Sequence, residues 1–270
     1  DVIGLHGNTL LHKPEESLSI QLGDSKFLFN KLDTPIITEF RKNDILNKGQ
    51  GAPLVPIFHK SRFSVSKKNN VVVNIGGVSN FTLISNVGKI IASDIGPGNK
   101  LIDEFCQLKF NVEYDKDGII SSKGKVIKEL INHWLQKSFL KSNYPTSFDN
   151  SYFDLNDYLP KKEYSPYDIL RTLTFYSAKI ISSIQNKFQI TIDSWIFSGG
   201  GTRNITLMND LEKLIGEEKV ISSEVFGVNP FFTESQAFAY ISVRTLRGLH
   251  SSFPSTTGCL RSSVAGKIFC

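Results

Sequence analysis

Cysteine is scarce in this sequence: Cys106, Cys259 and Cys270 are its three, and none sits at a paired or metal-ligand spacing. That excludes a disulfide framework and fits free thiols in a reducing, cytoplasmic setting. Long apolar runs are missing as well. None approaches the ~20 residues that a membrane span needs, so no membrane partner is expected. The histidines, His6, His12, His59, His133 and His250, show no HxxxH-type spacing, and no protein metal site is expected from them. No serine lies in a GxSxG turn, which removes the α/β-hydrolase reading. Charge is not concentrated either. The net charge of +5 comes with lysines spread along all 270 residues, the pattern of a solvated surface rather than a nucleic-acid stripe.

What is present is an alternation of strand-like runs and amphipathic helices, the pattern of an α/β protein. Val71-Val72-Val73-Asn74-Ile75 ends at Gly76-Gly77, and Phe81-Thr82-Leu83-Ile84 follows. A turn at Asn86-Val87-Gly88 leads into Lys89-Ile90-Ile91-Ala92-Ser93. These read as three consecutive antiparallel strands with glycines marking the turns. The third runs into Asp94-Ile95-Gly96-Pro97-Gly98. Asn99 is then expected to cap a helix burying Leu101, Ile102, Phe105 and Leu108. Ser165-Pro166-Tyr167-Asp168 marks another helix start, with serine at the cap, proline in the first turn and an acid at the third position. Trp195-Ile196-Phe197 reads as a buried strand ending in Gly199-Gly200-Gly201, before a helix carrying Leu207, Met208, Leu211 and Leu214. Thr233-Glu234-Ser235-Gln236 has the capping-box spacing ahead of an apolar helix from Ala237 to Leu246. Residues 60–70 are polar and read as a crossing between lobes; residues 136–164 read as irregular.

A strand, a glycine turn and an acid at a strand end form a plausible phosphate-handling layout, because backbone N–H groups in such a turn can approach anionic oxygens. Asp94 would then take a proton or hold a metal. An Asp that merely satisfies its own turn has the same spacing. Gly199 to Gly201, between a buried strand and a helix, can form a nucleotide site or a plain tight turn; it has neither a following Lys-Ser/Thr nor GxGxxG spacing. Glu234 in a first helical turn can be a ligand contact or an acid favoured by the helix dipole. His6 and Arg41 face the same choice between a ligand and a local partner.

In register along the chain, these segments resemble one family. Leu5-His6-Gly7-Asn8-Thr9 resembles its SHGQT, Gln21-Leu22-Gly23-Asp24 its QIGD, and Glu39-Phe40-Arg41 its DFR. The run from Gly49-Gln50-Gly51 to His59 resembles GGQGAPLVPxFH, Asn74 to Gly77 resembles NIGG, and Asp94 to Asn99 resembles DTGPGN. Gly199 to Asn204 with Leu207-Met208 resembles GGGxxNxxLM, and Glu234 to Tyr240 resembles EAxAFAW. The family is that of the anhydro-N-acetylmuramic acid kinases, within the sugar kinase, Hsp70 and actin superfamily.

The resemblance implies a two-lobed, actin-like ATPase architecture of ribonuclease-H-like domains, with the first lobe incomplete. Residues 1–62 would be the remainder of the N-terminal lobe and 63–250 the C-terminal lobe, with 251–270 returning to the first. It implies ATP and Mg2+, a sugar substrate, possible homodimers, and hydrolytic opening of an anhydro bridge coupled to phosphorylation. By resemblance Asp94 is the base. Asn74, Gly76 and Gly77 match a phosphate-binding hairpin and Gly199, Gly200 and Gly201 an adenosine segment, with Gly96, Gly98, Asn99 and Asn204 binding phosphate or nucleotide. His6, Gly7, Arg41, Gln50, Gly51 and Glu234 would meet the sugar.

Departures accompany it. The chain opens at Asp1 on what reads as the middle of a strand, so a first phosphate-binding segment is expected upstream. Pro145-Thr146-Ser147-Phe148-Asp149 stands where the family has lysine-serine-threonine-glycine-arginine, putting contacts from that loop in question. Ile95 replaces a threonine, and Asn8 a glutamine. A non-catalytic remnant that binds sugar or a partner is the alternative reading. A hexose or glycerol kinase is a third, opposed by the QGAPLVP segment.

Overall fold

The computed structural model describes every residue except 142, 143, 149–151 and 231, together with the side chains of 138 and 141. Its first sheet joins the two ends of the chain. Strand β1 (Ile3–Gly4) is followed by a hairpin of β2 (Asn8–Lys13) and β3 (Leu18–Leu22), then by helix α1 (Ser25–Leu32) and strand β4 (Ile36–Thr38). β4 pairs parallel with β1 and antiparallel with the last strand, Lys267–Phe269, placing Ile268 opposite Ile37. Ile37 is buried there with Phe40, Leu54, Ile57, Phe238, Ile241 and Ala265. Helices α2 (Lys42–Leu46) and α3 (Pro56–Phe63) lead out of this region.

Next come β5 (Asn70–Ile75), β6 (Val78–Ile84) and β7 (Ile90–Pro97), the antiparallel series expected from the glycine turns. Helices α4 (Lys100–Phe110), α5 (Lys128–Trp134), α6 (Pro166–Ser182) and α7 (Ile184–Phe188) separate them from β8 (Ser194–Ser198). After α8 (Ile205–Ile215) the strand β9 (Val220–Ser222) completes a five-stranded sheet in the order β7-β6-β5-β8-β9. Helices α9 (Thr233–Leu246) and α10 (Pro254–Thr257) precede the terminal strand, β10.

β5 lies between β6 and β8, parallel to the latter, and both of its faces are covered. Val71, Val73 and Ile75 join one cluster with Phe105, Leu173, Trp195 and Leu211; Val72 joins another with Phe58, Phe63, Ile196 and Ala237. This is why three valines run together: a strand with helices on both sides needs apolar side chains at odd and even positions alike. The polar stretch 60–70 is pinned by Phe63, which is fully buried and whose carbonyl accepts a bond from Asn70 Nδ2.

Several helix starts differ from the sequence expectation. Asn99 does not cap α4; its amide donates to the Gly76 carbonyl, and that tertiary bond fixes it in helical rather than capping backbone geometry. Leu108 is exposed, because the helix face turned to the core ends at Phe105 and Cys106. Ser165 occupies the N-cap position of α6, yet its hydroxyl makes no cap bond, and the Asp168 carboxylate accepts from the Lys125 amide instead. The capping box at Thr233 fails too. α9 begins at Thr233 itself, whose hydroxyl donates back to the carbonyls of Asn229 and Pro230. Asn204, by contrast, caps α8 by accepting the Leu207 amide at 3.0 Å.

The described residues of 136–164 form no α-helix or strand, as expected, but they are not peripheral. Phe139, Phe153, Leu155 and Tyr158 are buried in the larger cluster against Trp134 and Tyr176. No helix among the described residues is long and apolar enough to cross a membrane.

α6 is locked to α8 by the Arg171 guanidinium, which grips the Asp210 carboxylate through both Nη atoms at 2.6 and 2.7 Å. Asp210→Ala leaves that guanidinium largely buried and unpaired, and is expected to cost about 3 kcal/mol in urea unfolding. Unchanged stability would contradict this account of the helix pair.

Candidate active site

β5, β7 and β8 run in one direction, since β6 is antiparallel to β5 and β7 while β8 is parallel to β5. Their carboxyl ends therefore converge, and each ends in glycine: Gly76-Gly77, Gly96 and Gly98, and Gly199 to Gly201. Ligand crevices in open α/β sheets form outside such ends. The Gly98, Asn99 and Lys100 amides donate to the carbonyls of Gly76 and Gly77 at 2.8–3.1 Å. A Cβ on Gly98 would collide with the Gly76 carbonyl oxygen, so glycine permits this approach. Gly199 has φ +88°, and a Cβ there would lie 2.6 Å from Asn74 Oδ1. Around Gly200 the space is open.

A cleft of about 720 Å³ opens beside these turns. Its walls include His12 and neighbours from the β2–β3 hairpin, the loop from Gln50 to Val55, one face of the five-stranded sheet, and the start of α9. Asp94 lies in this wall. A register shift in the β6–β7 ladder sets Ser79 opposite Gly96 but Asn80 opposite Asp94, leaving Ile95 as the extra residue. Such a bulge re-aims side chains. Ile95 is buried in the core, where a threonine hydroxyl would have gone unused or needed a partner.

The segment after Pro145 clamps Asp94. The Asp94 amide donates to the Thr146 carbonyl (2.9 Å), and its carboxylate accepts the Phe148 amide (2.7 Å) and the Ser147 hydroxyl. Ser93 Oγ donates to the Thr146 carbonyl and accepts the Thr146 amide. The segment 145–148, where the sequence departs from the family, thus does contact the acid; Asp149 lies outside the described residues. Burial pushes the Asp94 carboxyl up to about 6, and the two hydrogen bonds pull it partly back. At neutral pH it is a carboxylate with the proton affinity of a useful base.

Arg41 also lines the cleft. One Nη donates to the Gly51 carbonyl at 2.8 Å, the other to His6 Nε2 at 3.2 Å, and Nε is buried without a hydrogen-bond partner. A guanidinium can only donate, so His6 must accept at Nε2 and carry its proton on Nδ1. Burial, then the neighbouring Arg41 charge, pushes His6 down to about 4, consistent with that neutral tautomer. Its ring stacks on Phe238 at 4.0 Å.

The residues singled out from sequence divide into three groups. Asp94, Asn74, Gly77, Arg41, Gln50 and Glu234 line the main cleft. Asn99, Gly200 and Asn204 line a second cavity of about 370 Å³ with Asp103, Asp115 and Arg203. Asp103 is pushed up to about 6 there by burial and by the Asp115 and Glu104 charges. Gly7, Gly51, Gly76, Gly96, Gly98, Gly199 and Gly201, with His6, are backbone or packing elements beside these walls. Gly7, for instance, turns at φ +69° against the Leu22 carbonyl, and Gly96 packs on Phe139 and Ile180.

Sequence reasoning passed over His59, Asn80, Thr82, Ser147 and Asp44. Asn80 and Thr82 alternate with Phe81 and Leu83, a period-two signal that the cleft face of β6 is polar. His59 is fully enclosed, held by Thr82 Oγ1 at 2.8 Å and pushed down to about 3 by burial. Among the described residues, no group of three or more His, Cys, Asp or Glu side chains is placed to hold a metal ion.

A family model described as anhydro-N-acetylmuramic acid kinase matches residues 1–270. Curated proteins of that name are similar along nearly the whole chain. The Rhodopseudomonas palustris protein is 37% identical over 262 residues, covering 96% of this chain and 70% of its own. Those of Brucella canis and Rhizobium etli are 38% and 37% identical, covering 96% and 99% of this chain and 70% and 72% of theirs. Among solved structures, the activator of the 2-hydroxyisocaproyl-CoA dehydratase from Clostridium difficile with bound ADPNP aligns over 90% of this chain and 96% of its own. That alignment has 14% identity and a TM-score of 0.42, too slight a likeness to carry weight.

Two measurements test the electrostatics of Asp94. Ser147→Ala removes a donor to the charged form, so the carboxyl should titrate above about 6 in carbon-13 NMR; an unchanged or lower midpoint would refute the clamp. A carboxyl raised by burial favours folding most below its ordinary pKa, and that contribution is lost as pH rises through about 6. Asp94→Asn should therefore gain stability over the native chain at pH 8, by at most about 3 kcal/mol, with no gain at pH 3. Urea unfolding at both pH values reads the difference.

Proposed function

Because the chain belongs to the anhydro-N-acetylmuramic acid kinase family, we propose that it opens 1,6-anhydro-N-acetylmuramic acid with water and phosphorylates the freed O6 from ATP. The products are N-acetylmuramic acid 6-phosphate and ADP, as in cell-wall recycling. The observation that carries this reading is a half-buried carboxylate, Asp94, in the cleft wall with its pKa raised to about 6.

In this reading Asp94 takes a proton from water as its oxygen attacks the anomeric carbon. The C1–O6 bond breaks, and O6 becomes the acceptor of the γ-phosphoryl group. General-base help of this kind is worth roughly 10²–10⁴ in rate. Arg41, Gln50 and Glu234 are the sugar contacts. Arg41 Nε, buried and unpartnered, is the donor left for an acceptor on the substrate. His6 and Gly51 hold that guanidinium, while Gly7 shapes the turn beside it.

The glycine turns support a polyphosphate. Gly76, Gly77, Gly96 and Gly98 bring backbone close without Cβ obstruction, with Asn74 beside them. Asn99, Gly200 and Asn204, with Gly199 and Gly201 behind them, are assigned to the nucleoside. The acids of the second cavity accept bonds from neutral hydroxyls and an amino group, and repel phosphate. Mg2+ accompanies ATP, held mainly by phosphate oxygens and water, and neutralises charge there. A cytoplasmic location belongs to the same reading, supported by ATP use and by the sparse, unpaired cysteines; a homodimer rests on the family resemblance alone.

The test is direct. The protein carrying the upstream phosphate-binding segment that the resemblance leads us to expect, incubated with the anhydro-sugar and Mg·ATP, should release ADP and form the 6-phosphate, followed by coupled assay and mass spectrometry. Asp94→Asn should abolish both ring opening and phosphorylation while nucleotide binding survives. Normal turnover by that variant would remove Asp94 from the role of base.

A further inference from the structure

Asp44 is wholly buried, yet it lies outside the cleft and takes no part in the chemistry above. Its carboxylate accepts two short bonds, from the Gly51 amide and from Thr257 Oγ1, both at 2.6 Å. The Asp44 carbonyl also accepts the Gly49 amide at 2.8 Å, and a Cβ on Gly49 would overlap the carboxylate. The turn is thus wrapped around this one side chain.

Gly51 passes the constraint on, because its carbonyl holds Arg41 Nη1. Gln50, between the two glycines, donates its amide to the Thr257 carbonyl at 2.7 Å and accepts His12 Nε2 on its own carbonyl at 2.9 Å. The C-terminal stretch runs along the same loop: the Leu260 amide donates to the Asn47 carbonyl, and Asn47 Nδ2 donates to the Arg261 carbonyl. Gln50 on this loop and Arg41, tied to it through the Gly51 carbonyl, both line the cleft. The fields of Glu234 and Asp44 offset part of the burial penalty on the Arg41 guanidinium.

We propose that Asp44 is a positioning residue for the sugar end of the cleft, fixing Gln50 and, through the Gly51 carbonyl, Arg41 against the C-terminal Thr257. The inference rests on the reading of that end as the sugar site. Bonds from neutral donors to a carboxylate are stronger than those to an amide, and a buried donor left unmet is costly. Removing the carboxylate therefore loosens the turn at the point where it presents ligand-binding groups. The glycine turns that serve the nucleotide lie on other elements and do not depend on it.

Isothermal titration of the full chain with 1,6-anhydro-N-acetylmuramic acid, and separately with ADP, reads the two ends independently. Asp44→Asn should weaken sugar binding about tenfold or more and leave ADP affinity within about twofold. Thr257→Val, which spares the Gly51 bond, should lose about threefold to tenfold for the sugar, and Thr257→Ser should restore it. Should Asp44→Asn fail to fold, the Thr257 pair carries the test. Native sugar affinity in Asp44→Asn or in Thr257→Val, or equal loss of both ligands with a lowered Tm, overturns the positioning role. A native chain that binds no anhydro-sugar overturns the reading of the cleft along with it.

Discussion

Strand β5 is hydrogen-bonded on both edges and covered on both faces, and the directions it imposes on its neighbours bring the glycine turns together. With β6 antiparallel and β8 parallel to it, β5, β7 and β8 all deliver their carboxyl ends to one side. Three glycine-rich turns meet there and interlock, the α4 amides donating to the β5–β6 turn and Gly199 lying against Asn74. Side chains at these points would force the turns apart. The close approach of these turns is thereby held by backbone hydrogen bonds, without any Walker-type motif.

Two charged groups of the cleft, Asp94 and Arg41, are balanced in opposite ways. Asp94 is desolvated and then partly compensated by donors from 147 and 148, which leaves it basic enough to take a proton and charged at neutral pH. Arg41 is desolvated and given neutral acceptors, the Gly51 carbonyl and His6, rather than a close carboxylate. That arrangement keeps the guanidinium in position without consuming all of its donors. Asp44 acts one layer back, on the backbone that presents Arg41 and Gln50.

Period and punctuation made the strand series, the α/β class and the helices legible in the sequence, because Val71–Ile75, the glycine turns and the Leu207–Leu214 spacing depend on local chemistry alone. Helix caps were less so. Asn99 and Thr233 have capping residue types, but a tertiary bond to the Gly76 carbonyl holds the first and carbonyls of the preceding turn hold the second. Residues 136–164 look irregular from sequence, and those of them that are described form no α-helix or strand, yet their aromatics complete the main core. Contacts between aromatic rings distant in sequence leave no periodic trace.

For the site, residue type and order identified Asp94, Arg41, Gln50 and the glycine turns as belonging to one family, since those segments keep their order whatever the packing. The raised pKa of Asp94, the neutral tautomer of His6, the Ser147–Phe148 clamp and the link from Thr257 through Asp44 to Gly51 arose only in the folded chain. Each depends on desolvation or on a bond between segments far apart in sequence, up to 213 positions for Thr257 and Asp44. Local sequence sets which groups are available and which way strands and turns run; the tertiary fold alone sets how much water each group loses and which partner replaces it.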